Sequence, residues 1–281
     1  MLPYNPFSGP EHTDFTISGD KPAALLIHGF AGTPAEMHPL AKALNERGWT
    51  VRGLLLPGFG SDLDSLPRRR AEDWIRAIKQ ALLELRTEHS PVMLVGISMG
   101  AALSLRVVQE TPADGLVILA PFWRLSSVVW PLLPVLCRLI PSLRPFRLVN
   151  VDYHDSGVRT ILNKFFPRLN PDDPQAQRKL RDFILPTGMF NEIRRAGLAA
   201  YRAAAQVRIP ILIVQGIKDE LSRTRMTRKL LRRYAGPVLY AEIQAAHELL
   251  DATQPVWSQV RSLILEFAGR LEMMPVHADR N

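Results

Sequence analysis

The run Pro91-Val92-Met93-Leu94-Val95-Gly96-Ile97-Ser98-Met99-Gly100 confines this chain to few folds, because it carries an apolar strand directly into a turn centred on a serine. The residues that follow, Ala101 to Val108, keep their apolar side chains at helical spacing, so Ser98 stands between a strand and a helix. A reversal that tight needs small neighbours, and Gly96 and Gly100 lack the side chains that would hold the two elements apart. Chance supplies on the order of 0.1 such Gly-x-Ser-x-Gly runs in a chain of this length, fewer still with the strand and helix required. Ser98 is therefore a candidate nucleophile, presented at a strand's C-terminal end.

A serine hydroxyl is a weak nucleophile unless a base, an orienting acid and oxyanion donors accompany it. Of the seven histidines, His247 is best placed: it follows the strand-like Val238 to Ile243 on a loop that leads to a helix beginning near Pro255. The acid is expected between serine and histidine in the chain, and Asp219 follows the buried-strand pattern Ile209 to Gly216 by three residues. Asp152 and Asp155, beside His154, are rivals, whereas Asp114 precedes its strand and so lies at the wrong end. The oxyanion donors are backbone N–H groups: Met99, after the nucleophile, and Phe30, in the glycine-containing loop His28 to Pro34 after the apolar strand Ala23 to Ile27. His28 itself reads as a residue that holds the loop. No set of side chains has metal-ligand spacing, so neither metal nor organic cofactor is expected.

Strand and helix patterns alternate from residue 23 to 122: helix over Ala35 to Arg47, strand over Val51 to Leu56, helix over Ala71 to Glu88, the serine turn, and strand over Leu116 to Ala120. That pattern predicts an α/β fold, a mostly parallel sheet wound by helices. The alternation stops at Pro121 and returns at Ile209. Residues 1–122 and 209–281 thus read as the core, and residues 123–208, proline-rich and without a clear strand, as an inserted helical cap.

The residues His28-Gly29-Phe30, Gly96-Ile97-Ser98-Met99-Gly100, Gly216-Ile217-Lys218-Asp219 and Ala246-His247-Glu248 resemble the α/β-hydrolase superfamily. Within it, Leu26 to Pro34 and the stretch through Ser98 look most like bacterial carboxylesterases and monoacylglycerol lipases. The resemblance implies Ser98 as nucleophile, Asp219 as acid, His247 as base, and Phe30 and Met99 as the oxyanion-hole amides. Two positions depart from the pattern: Ala101 stands where relatives often have a second glycine, and Phe59 where a histidine is frequent. The serine sets the chain apart from the dehalogenase and epoxide hydrolase branches, which use an aspartate.

With 281 residues, 47% of them apolar, the chain can bury a full α/β core. Its one cysteine, Cys137, forbids an internal disulfide, and Met1 to Pro6 lacks a basic-then-apolar pattern; together these lead to the expectation of a cytoplasmic protein. The whole formal excess of +8 lies in residues 123–208. No nucleic-acid motif accompanies that charge, so nucleic acid is not an expected partner. The apolar stretch Leu125 to Ile140, interrupted by prolines and by Arg138, is too short for a membrane span. A basic, apolar cap allows transient contact with lipid. Val128, Val129, Trp130, Leu132, Leu133, Val135 and Leu136 are then candidates for an acyl pocket.

The expected function is hydrolysis of acyl esters, medium-to-long-chain or monoacylglycerol-like, through an acyl-serine, with a small-molecule ester as partner. A thioesterase or acyltransferase would keep the same triad. A cofactor-free lyase or carbon–carbon hydrolase would keep the fold, and a ligand-binding protein without catalysis is the remaining alternative.

Overall fold

The computed structural model describes residues 7, 9–125, 127, 129–148, 151–165 and 169–274. Seven strands form one sheet: β1 (Phe15–Ile17), β2 (Ala23–Ile27), β3 (Thr50–Leu54), β4 (Val92–Ile97), β5 (Gly115–Leu119), β8 (Ile211–Gly216) and β9 (Val238–Ile243). Their order is β1-β3-β2-β4-β5-β8-β9. All neighbours are parallel except β1, which pairs antiparallel with β3 at the edge. The sequence pattern gave no sign of β1, whose three residues are too few to show a period.

The central strands are apolar on both faces because both faces are covered. In β4, Val92 and Leu94 join one buried cluster while Met93, Val95 and Ile97 join the other. The first cluster takes the buried sides of α2 (Ala71–Glu88) and α3 (Met99–Val108); the second takes those of α1 (His38–Asn45) and α10 (Trp257–Glu272). Where a helix was expected from Ala35, a 3-10 turn over Pro34–Met37 comes first, its amide at Ala35 accepted by the Thr33 hydroxyl. The amphipathic stretch near Arg223 forms α9 (Thr224–Leu231), with Leu230 in the core.

Between β5 and β8 lie α4 (Leu133–Leu139), α5 (Pro145–Leu148), α6 (Ser156–Phe165), α7 (Pro174–Asp182) and α8 (Gly188–Ala203). Two short strands in this insertion, β6 (Ser142–Leu143) and β7 (Leu185–Pro186), pair antiparallel. The insertion packs in two ways. Ile193, Ala196 and Ala200 of α8 enter the same core as α3, and Trp123 stacks on Tyr201 at 4.2 Å. Around α6 and α7, Tyr153, Leu162, Leu169 and Leu180 form a small cluster of their own.

After the edge strand β1, the parallel part of the sheet starts from β2 and runs both ways: β2 is followed by β3 on one side and, after α2, by β4 on the other. The loops that leave the C-terminal ends of β2 and β4 therefore diverge and open a crevice between them. At this point the backbones come very close. A Cβ on Gly100 would lie 2.4 Å from the Ile27 carbonyl oxygen and 2.5 Å from that of His28, and one on Gly96 would lie 2.5 Å from the Gly100 oxygen.

Gly100→Ala should therefore lower stability by about 3 kcal/mol, the upper range for overpacking, since backbone cannot yield as a side chain does. Gly269→Ala, inside α10 with nothing within 4 Å of the new methyl, should raise stability by up to ~1 kcal/mol. Urea unfolding midpoints measure both, and equal effects would refute the packing argument.

Candidate active site

Ser98 sits at the junction of β4 and α3 with φ 54° and ψ −115°, a left-handed conformation costly for a residue with a side chain. Three hydrogen bonds hold it there. Its N–H donates to the Leu119 carbonyl at 2.9 Å, and its own carbonyl accepts from Phe122 at 3.2 Å and Ala102 at 3.3 Å. The serine is thereby turned out of the sheet, half-buried, beside Gly29, where a Cβ would stand 3.4 Å from that of Ser98.

Asp219 and His247 are brought together by backbone rather than by their own chains. After β8, Ile217 N–H donates to the Ile243 carbonyl at 2.9 Å and Lys218 N–H to the Ala245 carbonyl at 2.9 Å, which joins the two loops. Gly216 makes this approach possible: a Cβ there would lie 2.3 Å from the Ala246 oxygen. The result is a contact of 2.7 Å between His247 Nδ1 and Asp219 Oδ2, with the carboxylate side chain fully buried. Its other oxygen accepts from the Leu221 and Ser222 amides at 2.9 and 2.8 Å. With Asp219 ionised, Nδ1 carries the ring's proton and Nε2 is left as acceptor. Among the described residues His247 bonds to Asp219 and makes no hydrogen bond to the Ser98 hydroxyl.

The other expected site residues lie around this centre. Met99 is the first residue of α3, so its N–H has no acceptor within the helix. Phe30 follows Gly29 at the end of β2, and its N–H makes no hydrogen bond among the described residues. His28 is buried: its Nε2 accepts from Leu56 N–H at 3.1 Å, so Nδ1 is the protonated nitrogen and donates to the Gly29 carbonyl at 2.8 Å. That places His28 as the tie between β2's exit and the Leu55-Leu56-Pro57 loop. The rival carboxylates are engaged locally. Asp152 accepts from His154 N–H and Asp155 from Val158 N–H, at the start of α6.

Some contributors were not singled out in the sequence. Glu36 Oε1 accepts from Gly29 N–H at 2.6 Å and so fixes the loop that carries Phe30. The Thr33-x-x-Glu36 spacing of a capping box was its signal, here redirected from the helix cap to the loop. Gln215, a polar residue in an apolar strand, is buried and donates to the Ser222 carbonyl at 2.7 Å, while Thr227 donates to its oxygen. Ser222 also donates to the Pro121 carbonyl, which links the acid loop to the exit of β5.

A cavity of 620 Å³ lies against the loop that follows β2, at Phe30, Ala31 and Gly32. Phe30 and Phe59 line it from the core, and Phe146, Leu185, Met189 and Phe190 from the insertion, with Asp64 and Arg68 among its few polar residues. Among the described residues, the acyl-pocket candidates Val129, Trp130, Leu132, Leu133, Val135 and Leu136 do not line it. Val129, Leu132 and Val135 are about half exposed, Trp130 is buried edge-on against Phe122, and Val128 lies outside the described residues. The apolar residues of α4 divide between an exposed side, Val135 and Leu139, and a side on which Leu133 packs against the core, and the cavity wall comes from residues further along the insertion. Among the described residues no three His, Cys, Asp or Glu side chains are grouped to hold a metal ion, and no helix is long and apolar enough to cross a membrane.

A family model described as "Serine aminopeptidase, S33" matches residues 20–254. Over 109 residues the chain is 32% identical to a thermostable monoacylglycerol lipase of Bacillus sp., covering 39% of this chain and 43% of that protein. It is 33% identical over 104 residues to a carboxylesterase of Bacillus subtilis, covering 37% and 42%. The matched stretches thus span less than half the length of either relative. In structure, the chain is similar to a protein described under the metagenome-derived lipolytic enzymes LipS and LipT, with TM-score 0.73 and 18% identity, covering 94% of this chain and 99% of that one. At that identity the likeness is one of fold.

Burial holds the His28 pKa down at about 4, against 6.5 for a solvated histidine. Below pH 6.5 the unfolded chain takes up a proton that the folded chain refuses, so stability falls as pH drops from 6.5 to 4 and levels off below. The loss amounts to about 3 kcal/mol. Urea midpoints at pH 7, 5.5 and 4 should fall more steeply for the wild type than for His28→Asn, and parallel curves would show that His28 is not a buried neutral imidazole.

Proposed function

The chain belongs to the serine aminopeptidase S33 family of α/β hydrolases, and on that footing we propose that it is a serine hydrolase cleaving carboxylic esters, medium-to-long-chain or monoacylglycerol-like, through an acyl-serine. The observation that carries this reading is the buried Asp219–His247 hydrogen bond at the same sheet edge as the strained Ser98 turn. The Ser98 hydroxyl attacks the ester carbonyl while His247 Nε2 takes its proton, a step in which the ring closes on the hydroxyl as substrate enters. Asp219 keeps the proton on Nδ1 and stabilises the imidazolium. The Phe30 and Met99 amides receive the oxyanion. Proton return to the leaving alcohol, then attack by a water that His247 deprotonates, releases the acid and restores Ser98.

The phenylalanine-rich cavity supports an apolar acyl group, and its volume fits the drug-sized range for small-molecule sites. The names of the Bacillus relatives agree with an ester. In this reading residues 123–208 act as a cap over the sheet edge. The exposed Val129, Leu132, Val135, Leu139 and Ile140 beside the exposed Arg138 and Arg144 support transient contact of that cap with a lipid surface. The family description also keeps an amide reading in play, since the same triad cleaves peptides and Asp64 at the cavity could meet a free amino group.

Two measurements test the proposal. A fluorophosphonate should label wild-type protein at Ser98, and Ser98→Ala, folded by circular dichroism, should lose about 10⁴ to 10⁶ of the turnover on p-nitrophenyl esters. Substantial residual activity, or faster cleavage of aminoacyl anilides than of esters, would overturn the ester assignment. In the second, kcat/KM should climb nearly fourfold per added methylene, about 0.8 kcal/mol each, from acetate until the cavity is full. Leu185→Trp, which fills the cavity from the insertion side, should move the optimum to shorter chains. A wild-type optimum at acetate would remove the acyl role of the cavity.

A further inference from the structure

A second concavity, of 480 Å³, lies on the α2, α3 and α8 face of the molecule and, among the described residues, shares no lining residue with the first. Arg106, on its wall, stands eight residues along α3 from Ser98, about 12 Å at 1.5 Å per residue, so the two sites are separate. Its floor is apolar: Ala71 and Ile75 from α2, Ala196, Leu198 and Ala199 from α8. Its rim is cationic, with Arg76, Lys79, Arg106, Arg195 and Arg202 against one lining carboxylate, Glu72.

The carboxylates nearby leave this rim incompletely matched. Arg195 is shared between Glu72 and Glu192, and Arg106 Nη2 is bonded to Glu110, which Lys79 approaches only to 3.8 Å. Arg76 stands 3.8 Å from Asp73. Arg202 has no acidic partner among the described residues, and Arg106 Nη1 is enclosed without any acceptor. An enclosed guanidinium nitrogen without an acceptor is costly, and a planar guanidinium is built to take oxyanions in pairs of hydrogen bonds. The volume exceeds what a bare inorganic ion fills, and the floor has no polar group to hydrate one.

We propose that this cleft binds a small organic oxyanion, a phosphate monoester or carboxylate with a short apolar tail. The head group lies among Arg76, Arg106 and Arg202, the arginines that line the cleft without a close carboxylate of their own or with a guanidinium nitrogen left unpaired. The tail lies on Ile75, Ala196 and Ala199. The site makes no use of Ser98 or of the ester-cleaving assignment and stands whether or not that assignment holds.

Calorimetric titration of the full chain with butyl phosphate, pentanoate, inorganic phosphate and butanol tests the site. Butyl phosphate or pentanoate should saturate below about 10 mM, a level at which a single weak site is measurable, and whichever binds tighter identifies the head group. Inorganic phosphate should bind more weakly and butanol not at all. Arg76→Ala/Arg202→Ala should weaken binding roughly tenfold or more through lost charge-assisted bonds. Ala199→Trp should do the same by filling the floor with every charge kept. Arg261→Ala on α10, across the sheet, removes an equal charge and should change affinity less than about twofold, the part due to general attraction. Absence of saturable binding in the wild type, or equal weakening by Arg261→Ala, would overturn the proposal, as would unchanged binding in Ala199→Trp.

Discussion

The candidate active site depends on how closely three backbones approach at one point. The end of β2, the end of β4 and the first turn of α3 meet where a methyl group on Gly96 or Gly100 would fall within 2.5 Å of a carbonyl. That approach lets Ser98 take a left-handed conformation of a kind that costs about 1–3 kcal/mol, against which its hydrogen bonds to Leu119, Phe122 and Ala102 are set. The same approach brings the Gly29-Phe30 backbone alongside the serine. The strained residue and the loop beside it are thus two products of one constraint, and neither could be moved without the other.

The rest of the site shows how buried polarity is kept satisfied. Asp219 is buried yet accepts two amides on one oxygen and a ring N–H on the other, so that neither oxygen of the carboxylate is left without a donor. Gln215 and Ser222 extend this arrangement inward and tie the acid loop to the strands on either side. On the other side of the crevice, neutral His28 and the Glu36 carboxylate do the same for the loop after β2. Polar side chains with defined partners thus orient the loops of the candidate site within an otherwise apolar core.

The strands β2, β4, β5 and β8 and the helices α2 and α3 were legible in the sequence because each carries a period long enough to read, as were the loop positions of Asp219 and His247. The edge strand β1, three residues long, carried none. Glu36 hid inside a helix-start signal, and its role depends on a loop folding back seven residues, which spacing along the chain does not encode. The insertion was the hardest part. The strongest apolar run, over α4, is divided between the core, which takes Trp130 and Leu133, and the surface, and the cavity is lined instead by Phe146, Phe183 and Phe190, which stand scattered among prolines and charges and meet only in three dimensions. Hydrophobicity along a chain reports burial where a helix or strand has one covered face. It says little where short helices share their apolar residues between a cavity and a small cluster.

One consequence follows from where Ser98 and His247 sit in the sheet. Ser98 leaves β4, which is flanked by β2 and β5; His247 leaves β9, the last strand, which pairs only with β8 and buries only Ile243 of its six residues. Free energies of opening differ across a fold, and an outer strand with a wet face opens before the centre does. The imidazole is therefore borne by the rim of the sheet while the hydroxyl is borne by its heart. Warming such a protein separates two events that a single melting curve merges: sub-global fraying of the rim, which displaces His247 while Ser98 stays in place, and collapse of the centre, which ends the fold.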